Sequence, residues 1–312
     1  MYGSNRLRAA VGLMQIRILG SAAGGGFPQW NCNCAGCQAV RRGDAGVHRR
    51  TQSSLAVRGT AGEWFLINAS PDVRQQLEML REETPSTIRS SPIVGILLSD
   101  GEIDHTAGLT ILRESSQPLQ IYGTNTVKQA LTEGFSLLRV LENYCGVKWT
   151  VVEPGSIMNL GNLEVEAFSL PGTPPKYMRS HTLKESNWVV GFTFRDRASS
   201  AIATYAPALA ELTPSILERL DKSDCILVDG TCWLNNELVK LGMSNRTALS
   251  MGHLPLLGEN GSLKRLSQLS CKRKIFTHIN NTNPILVEQS PERQKVEAAG
   301  MEVADDGLTI EL

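Results

Sequence analysis

Three apolar runs in this chain end in the same way. LLSDGEIDH (97–105), ILVDG (226–230) and KIFTHIN (274–280) each carry a strand-like stretch directly into a carboxylate or an imidazole. In α/β proteins that contain sheets, sites are assembled where strands stop and loops begin. Asp104, His105, Asp229 and His278, far apart in sequence, are therefore expected to converge. Taken singly, Asp104 could be a helix N-cap and Asp229 the cap of a turn before Gly230, since aspartate is common at both. The recurrence at three strand ends is what points to a shared site.

The rest of the chain supplies the sheets. Strands are expected at Ile16–Leu19, Ser53–Val57, Trp64–Asn68, Ile93–Leu98, Leu119–Tyr122, Leu163–Leu170, Trp188–Phe194, Ala201–Tyr205, Cys225–Val228, Lys274–Thr277 and Leu308–Leu312. Leu163–Leu170 alternates as a strand with one buried face does. The continuous run before Asp229 reads as a strand buried on both faces. Helical periodicity covers Asp72–Leu80, Thr106–Glu114, Val127–Leu138, Pro214–Leu220 and Leu263–Leu269, with Thr213 and Pro214 as N-cap and first helical position. Two sheets sandwiched between helices in one α/β domain over residues 14–312 is the expected architecture. Residues 1–13 have neither a signal-peptide h-region nor a strand pattern, and are expected to be a disordered extension, with Met14 the natural start.

Composition narrows the function classes. Thirty-one basic and 31 acidic residues give a formal net charge of zero, which offers nucleic acid no electrostatic grip. No stretch approaches the length of a membrane span. Seven cysteines, an odd number with three crowded into one segment, suggest a reducing, cytoplasmic location and a metal site rather than a disulfide framework.

That segment is WNCNCAGC. Cys32, Cys34 and Cys37, with a glycine between them, suit a knuckle around structural zinc. Candidates for the fourth ligand are His48, Asp44 and a group near Asn281. The preceding GSAAGGGFP lacks the spacing of a phosphate cradle, and cysteines rather than a helix are expected after it. It is read as close backbone approach to the site or to the knuckle. His48 and His181 are expected at the surface, and His253 after its glycine turn could be structural.

The blocks GSAAGGGFPQWNCNCAGC, TQSS, NASPD, IDHTAGL, VDGT, MGH and THINNTNPI resemble the coenzyme PQQ biosynthesis protein B family, and DGEIDH resembles the H-x-H-x-D-H signature of the metallo-β-lactamase superfamily. The blocks run from residue 20 to about residue 286. The resemblance implies a four-layered αβ/βα sandwich and a role in making pyrroloquinoline quinone. Dinuclear members of the superfamily hold the first metal with the two leading histidines and a later one, and bridge to the second through an aspartate. Here the leading pair is Asp100 and Glu102, and the later positions read PGTPP and APAL, so the first site has lost its ligands. The second survives as Asp104, His105 and His278. Two imidazoles, a carboxylate and open positions form the facial triad favoured by non-haem Fe(II) oxygenases. Asp100 and Glu102 remain as reserve ligands or as acceptors orienting the histidines. His253 in MGHLP matches a histidine that some relatives use as a general acid.

Three functions are weighed on this basis. The first is an Fe(II)-dependent oxygenase, with dioxygen as co-substrate, that hydroxylates the tyrosine ring of a precursor peptide fragment, with His253 deprotonating or placing the phenol. It would act alone or with other PQQ biosynthesis proteins. The second is a carrier moving the cofactor or its precursor toward the periplasm. The third is a hydrolase, which generally needs two metals and here lacks the ligands for one of them.

Overall fold

The computed structural model describes residues 12–60, 62–81, 88–178 and 187–312. Among these, fourteen strands form two seven-stranded sheets. In chain order they are β1 (Gln15–Gly20), β2 (Ser54–Arg58), β3 (Trp64–Ile67), β4 (Ile93–Leu97), β5 (Leu119–Gly123), β6 (Val147–Val151), β7 (Ile157–Leu160), β8 (Leu163–Leu170), β9 (Val189–Asp196), β10 (Ile202–Ala206), β11 (Cys225–Asp229), β12 (Arg273–Thr277), β13 (Glu302–Val303) and β14 (Thr309–Glu311). The first sheet runs β14-β1-β2-β3-β4-β5-β6 and the second β13-β12-β11-β10-β9-β8-β7. Each is antiparallel at one end and parallel at the other.

Strand alternation explains the layering. Leu163, Val165 and Ala167 of β8 face the core between the sheets, alongside Ile16, Ile18, Phe192 and Ile275. The intervening Glu166 points outward and pairs at 2.7 Å with Arg219 on the helix Pro214–Asp221. That helix starts as expected, Thr213 accepting the Ile216 amide hydrogen at 3.3 Å. Helices cover both outer faces: Val73, Leu109, Val127 and Leu141 pack on the first sheet, and Ile216, Leu220, Leu266 and Val296 on the second. The expected αβ/βα sandwich is the observed one, and β11 is buried along its whole length.

Several local expectations are corrected. The helix expected over Val127–Leu138 is split into Asn125–Gln129, a π turn Ala130–Gly134 and Leu137–Glu142. A side chain at Gly134 would collide with Met178 and Tyr177, and Ser136 adopts φ 43°, so the chain turns there. Thr106–Glu114 is instead a short α-turn Ile103–Thr106 followed by the 3-10 helix Ala107–Glu114. Gly108 presses against the Ala69–Ser70 backbone and donates its amide to Ala69 at 2.9 Å. A helix, Ala35–Arg42, does follow the first two cysteines and contains the third. Met14 is buried and exchanges backbone hydrogen bonds with Leu312. Of the expected extension, residues 1–11 lie outside the described residues, as does His181.

β4 belongs to the first sheet, β11 and β12 to the second, and their C-terminal ends meet at one edge of the sandwich. The glycine-rich loop stitches this edge: Ala22 donates to Thr51, Ala23 donates to Ile279, and Ile279 donates to Ser21, at 2.8–2.9 Å. A Cβ at Gly24 would stand 3.1 Å from an Asp104 carboxylate oxygen, so the loop must be bare where it passes the site.

Candidate metal centre

The turn after β4 delivers three acids and an imidazole to this edge. Glu102 is the residue before the helix Ile103–Thr106, and Asp104 lies in its first turn without capping it. His105 is buried, its Nδ1 2.7 and 2.9 Å from the two oxygens of Asp100. Asp100 also accepts from the Ser99 hydroxyl at 2.8 Å and the Glu102 amide at 2.9 Å. Ser99 is in turn fixed through its amide to the Asn68 side chain at 2.9 Å. Asp100 thus sits behind the imidazole, accepting the Nδ1 proton and leaving Nε2 facing forward. That Nε2 is buried and has no hydrogen-bond partner.

Across from it, His278 follows β12 in the left-handed region at φ 54°, which is uncommon for a non-glycine residue. Its Nε2 is 3.5 Å from Asp104 Oδ2, and His105 Nε2 is 3.9 Å from the same oxygen. Ligand atoms of Asp104, His105 and His278 all lie within 4.8 Å of one another. An orphaned buried nitrogen facing a carboxylate and a second imidazole is the donor set of a cation site, and a divalent metal fits it.

Asp229 arrives from β11 and is also buried. It accepts from His253 Nδ1 at 2.7 Å, the Leu209 amide at 2.9 Å, and the Thr231 amide and hydroxyl at 2.9 and 2.6 Å. It therefore makes both the turn contact and the site contact that its sequence position suggested. The His253 ring stacks on His278, with centroids 5.2 Å apart. The four residues anticipated from strand ends come together, with His253 beside them. Residues the sequence did not single out are Asn68, Ser99, Thr231 and Tyr177, whose hydroxyl donates to the Gly101 carbonyl. Asn68 and Thr231 lie in the blocks NASPD and VDGT, but nothing in those blocks marks which side chains orient a ligand.

The site is electrostatically tense. Burial disfavours the His105 cation, but the Asp100 and Asp104 charges outweigh it and lift the imidazole to about 9. Burial would raise Asp104, yet His105 and His278 hold it well below the usual carboxylate range. His253 is raised because Asp229 outweighs the burial cost, and Asp229 is correspondingly lowered. Glu102 has no such partner. Desolvation, then Asp100 and Asp104, push it up to about 7, although its side chain opens into the cavity. A carboxyl that binds its proton more tightly folded than unfolded destabilises the fold as pH rises from about 4.5 to about 7. Glu102→Gln is therefore expected to raise the melting temperature of metal-free protein at pH 8, by at most about 2 °C given solvent screening. The gain should vanish at pH 5. Equal gains at both pH values in scanning calorimetry would contradict it.

The cavity over these residues holds about 350 Å³ and is walled by Pro171, Trp188, Lys176, Arg246 and Met251 among others. The loop after β8 supplies this wall from Pro171 to Lys176, while residues 179–186 lie outside the described residues.

Cys32, Cys34 and Cys37 form a second cluster with their sulfurs within 4.8 Å of one another. Asn281 Nδ2 lies 3.4 Å from Cys37 Sγ and 3.8 Å from Cys34 Sγ. Burial pushes the Cys34 thiol up to about 12. Of the groups considered for a fourth ligand, His48 pairs with Glu288 at 3.1 Å and Asp44 with Arg42, both at the surface, whereas Asn281 is at the cluster. His278 lies three residues earlier in the same loop, so the cysteine cluster abuts the segment carrying that imidazole.

The Beta-lactamase superfamily domain model matches residues 63–279. The chain is 43% identical over 304 residues to coenzyme PQQ synthesis protein B of Azoarcus sp. strain BH72, covering 96% of this chain and all of that one. It is 44% identical over 304 residues to the protein of the same name from Methylococcus capsulatus, with the same coverage. The chain belongs to the coenzyme PQQ synthesis protein B family. Within that family, the crystal structure of Zn(2+)-bound PqqB from Methylobacterium extorquens superposes with a TM-score of 0.86 at 36% identity, covering 96% of this chain and 100% of that one. A diphosphatase of the PhnP family shares the fold, with a TM-score of 0.68 at 22% identity over 96% of this chain and 97% of that one. The metallo-β-lactamase fold is thus established for this chain on both sequence and structural grounds.

Proposed function

We propose that this protein acts in the biosynthesis of pyrroloquinoline quinone as an Fe(II)-dependent oxygenase that hydroxylates the tyrosine ring of a precursor peptide fragment. The observation that carries the reading is the orphaned His105 Nε2 facing Asp104 and His278. Asp104, His105 and His278 would hold the ion, and two imidazoles with one carboxylate are the ligand set of mononuclear iron oxygenases. Bound Fe(II) would supply dioxygen activation. Overall, hydroxylation would place one atom of dioxygen in a ring C–H bond and release the other as water, with two electrons and two protons from an external reductant.

The chain's own residues do the rest. Asp100 keeps His105 in one tautomer. His253, its Nδ1 held by Asp229, offers Nε2 to take the phenol proton within the cavity. Arg246 and Lys176 in the cavity wall give the carboxylates of a peptide fragment counter-charge, and Trp188 gives the ring an apolar neighbour. Glu102 remains at the cavity as a tuning acid. The cysteine cluster is the place for structural zinc. A volume of about 350 Å³ lies within the range of small-molecule sites.

The test is oxygen uptake by anaerobically Fe(II)-loaded protein given tyrosine-containing peptides and a reductant. Stoichiometric uptake with a product heavier by one or more oxygen atoms is expected. Tight peptide or cofactor binding without uptake would favour the carrier instead.

A further inference from the structure

We propose that Thr231 is a positioning residue that holds His278 in its metal-binding tautomer, and that Asp229 acts on the metal centre through this hydroxyl. The proposal rests on the reading that Asp104, His105 and His278 hold the active-site metal.

The argument is a count of hydrogens. The Thr231 hydroxyl has one hydrogen and four close polar neighbours. Asp229 Oδ1 is at 2.6 Å, His278 Nδ1 at 2.9 Å, the His278 carbonyl at 3.0 Å and His253 Nδ1 at 3.1 Å. The carboxylate is the nearest and the only charged acceptor, so it takes the hydroxyl hydrogen. A nitrogen 2.9 Å from an oxygen must share a hydrogen with it, and the hydroxyl has none left. His278 Nδ1 therefore carries its own proton and donates to Thr231. The lone pair then lies on Nε2, the atom 3.5 Å from Asp104. His253 Nδ1 is served separately, by Asp229 Oδ2 at 2.7 Å.

The two metal-facing imidazoles are thus fixed by different devices. His105 donates to a carboxylate directly, whereas His278 donates to a hydroxyl clamped by one. Thr231 and Asp229 are both at least nine-tenths buried, so water does not compete for these contacts. Asp229 makes no hydrogen bond to His278. In Asp229→Asn the amide can donate to the hydroxyl, releasing its hydrogen to His278 Nδ1 and moving the ring proton to Nε2, where it blocks the metal.

The experiment compares anaerobic Fe(II) and Co(II) titrations of wild type, Thr231→Val, Thr231→Ser, Asp229→Asn and His278→Ala. It is read with the visible spectrum of the Co(II) form and histidine ¹⁵N NMR of the metal-free protein. In wild type, His278 should show the proton on Nδ1. Thr231→Val and Asp229→Asn should bind about 10–100-fold more weakly with displaced Co(II) bands. Thr231→Ser should restore both affinity and spectrum, which a loss through packing alone would not. Should the valine variant fail to fold, the NMR tautomer and Asp229→Asn carry the test. If His278→Ala loses metal but Thr231→Val binds as wild type, or if wild-type His278 carries its proton on Nε2, the proposal falls and the metal site stands. If His278→Ala binds metal normally, both fall.

Discussion

His278→Ala is expected to lose the active-site metal, with affinity for Fe(II) falling on the order of a thousandfold, about 4 kcal/mol. The reason is geometric. His105 and Asp104 lie on one short turn after β4, and among the described residues His278 is the metal-binding side chain that joins them from the other sheet. Without it, two adjacent side chains must hold the ion with water for the rest. Metal counted by mass spectrometry after anaerobic Fe(II) loading of zinc-replete protein gives the answer: one iron beside one zinc in wild type, zinc only in the variant. Iron retained in the variant would break the facial-triad reading, and no iron in either protein would move the carrier reading ahead. The substitution also places alanine at φ 54°, a strain on the order of 1 kcal/mol. His278→Asn, which tolerates that conformation better, separates this from ligand loss: it should recover stability without recovering iron.

The second large effect is expected at the cysteine cluster. Cys37→Ser should release zinc and lower the melting temperature by on the order of 5–10 °C. Cys37 is fully buried inside the helix Ala35–Arg42, and Asn281 reaches its sulfur from the loop after β12. Losing the ion unties that helix from the loop, so Fe(II) affinity should also weaken, by about tenfold at most. Cys145→Ser, at a half-buried thiol outside the cluster, is the control and should change neither metal content nor unfolding. Calorimetry beside zinc analysis decides the matter. Equal zinc and equal melting in Cys37→Ser and wild type would remove the structural-zinc assignment.

Much of this was present in the chain itself. Alternation in Leu163–Leu170, the continuous run before Asp229 and the Thr213–Pro214 start gave the elements and therefore the layers, because burial patterns are local properties of strands and helices. The residues that converge at the candidate metal centre were legible because strand ends expose whatever follows them. Two kinds of information were missing. Where a glycine lets the chain pack close, against backbone at Gly108 and against the Met178 and Tyr177 side chains at Gly134, periodicity cannot show that a helix must tighten or break. The partners that orient ligands were equally silent: Ser99, Asn68 and Thr231 are ordinary polar residues until the fold sets them against Asp100, Asp229 and His278. Asp100, open in sequence to being a reserve ligand, became the acceptor behind His105 for the same reason. The sequence by itself determined which groups could bind a metal. Only the tertiary structure decided which nitrogen of each imidazole faces inward, since that choice rests on hydrogen-bond partners up to 47 residues away along the chain.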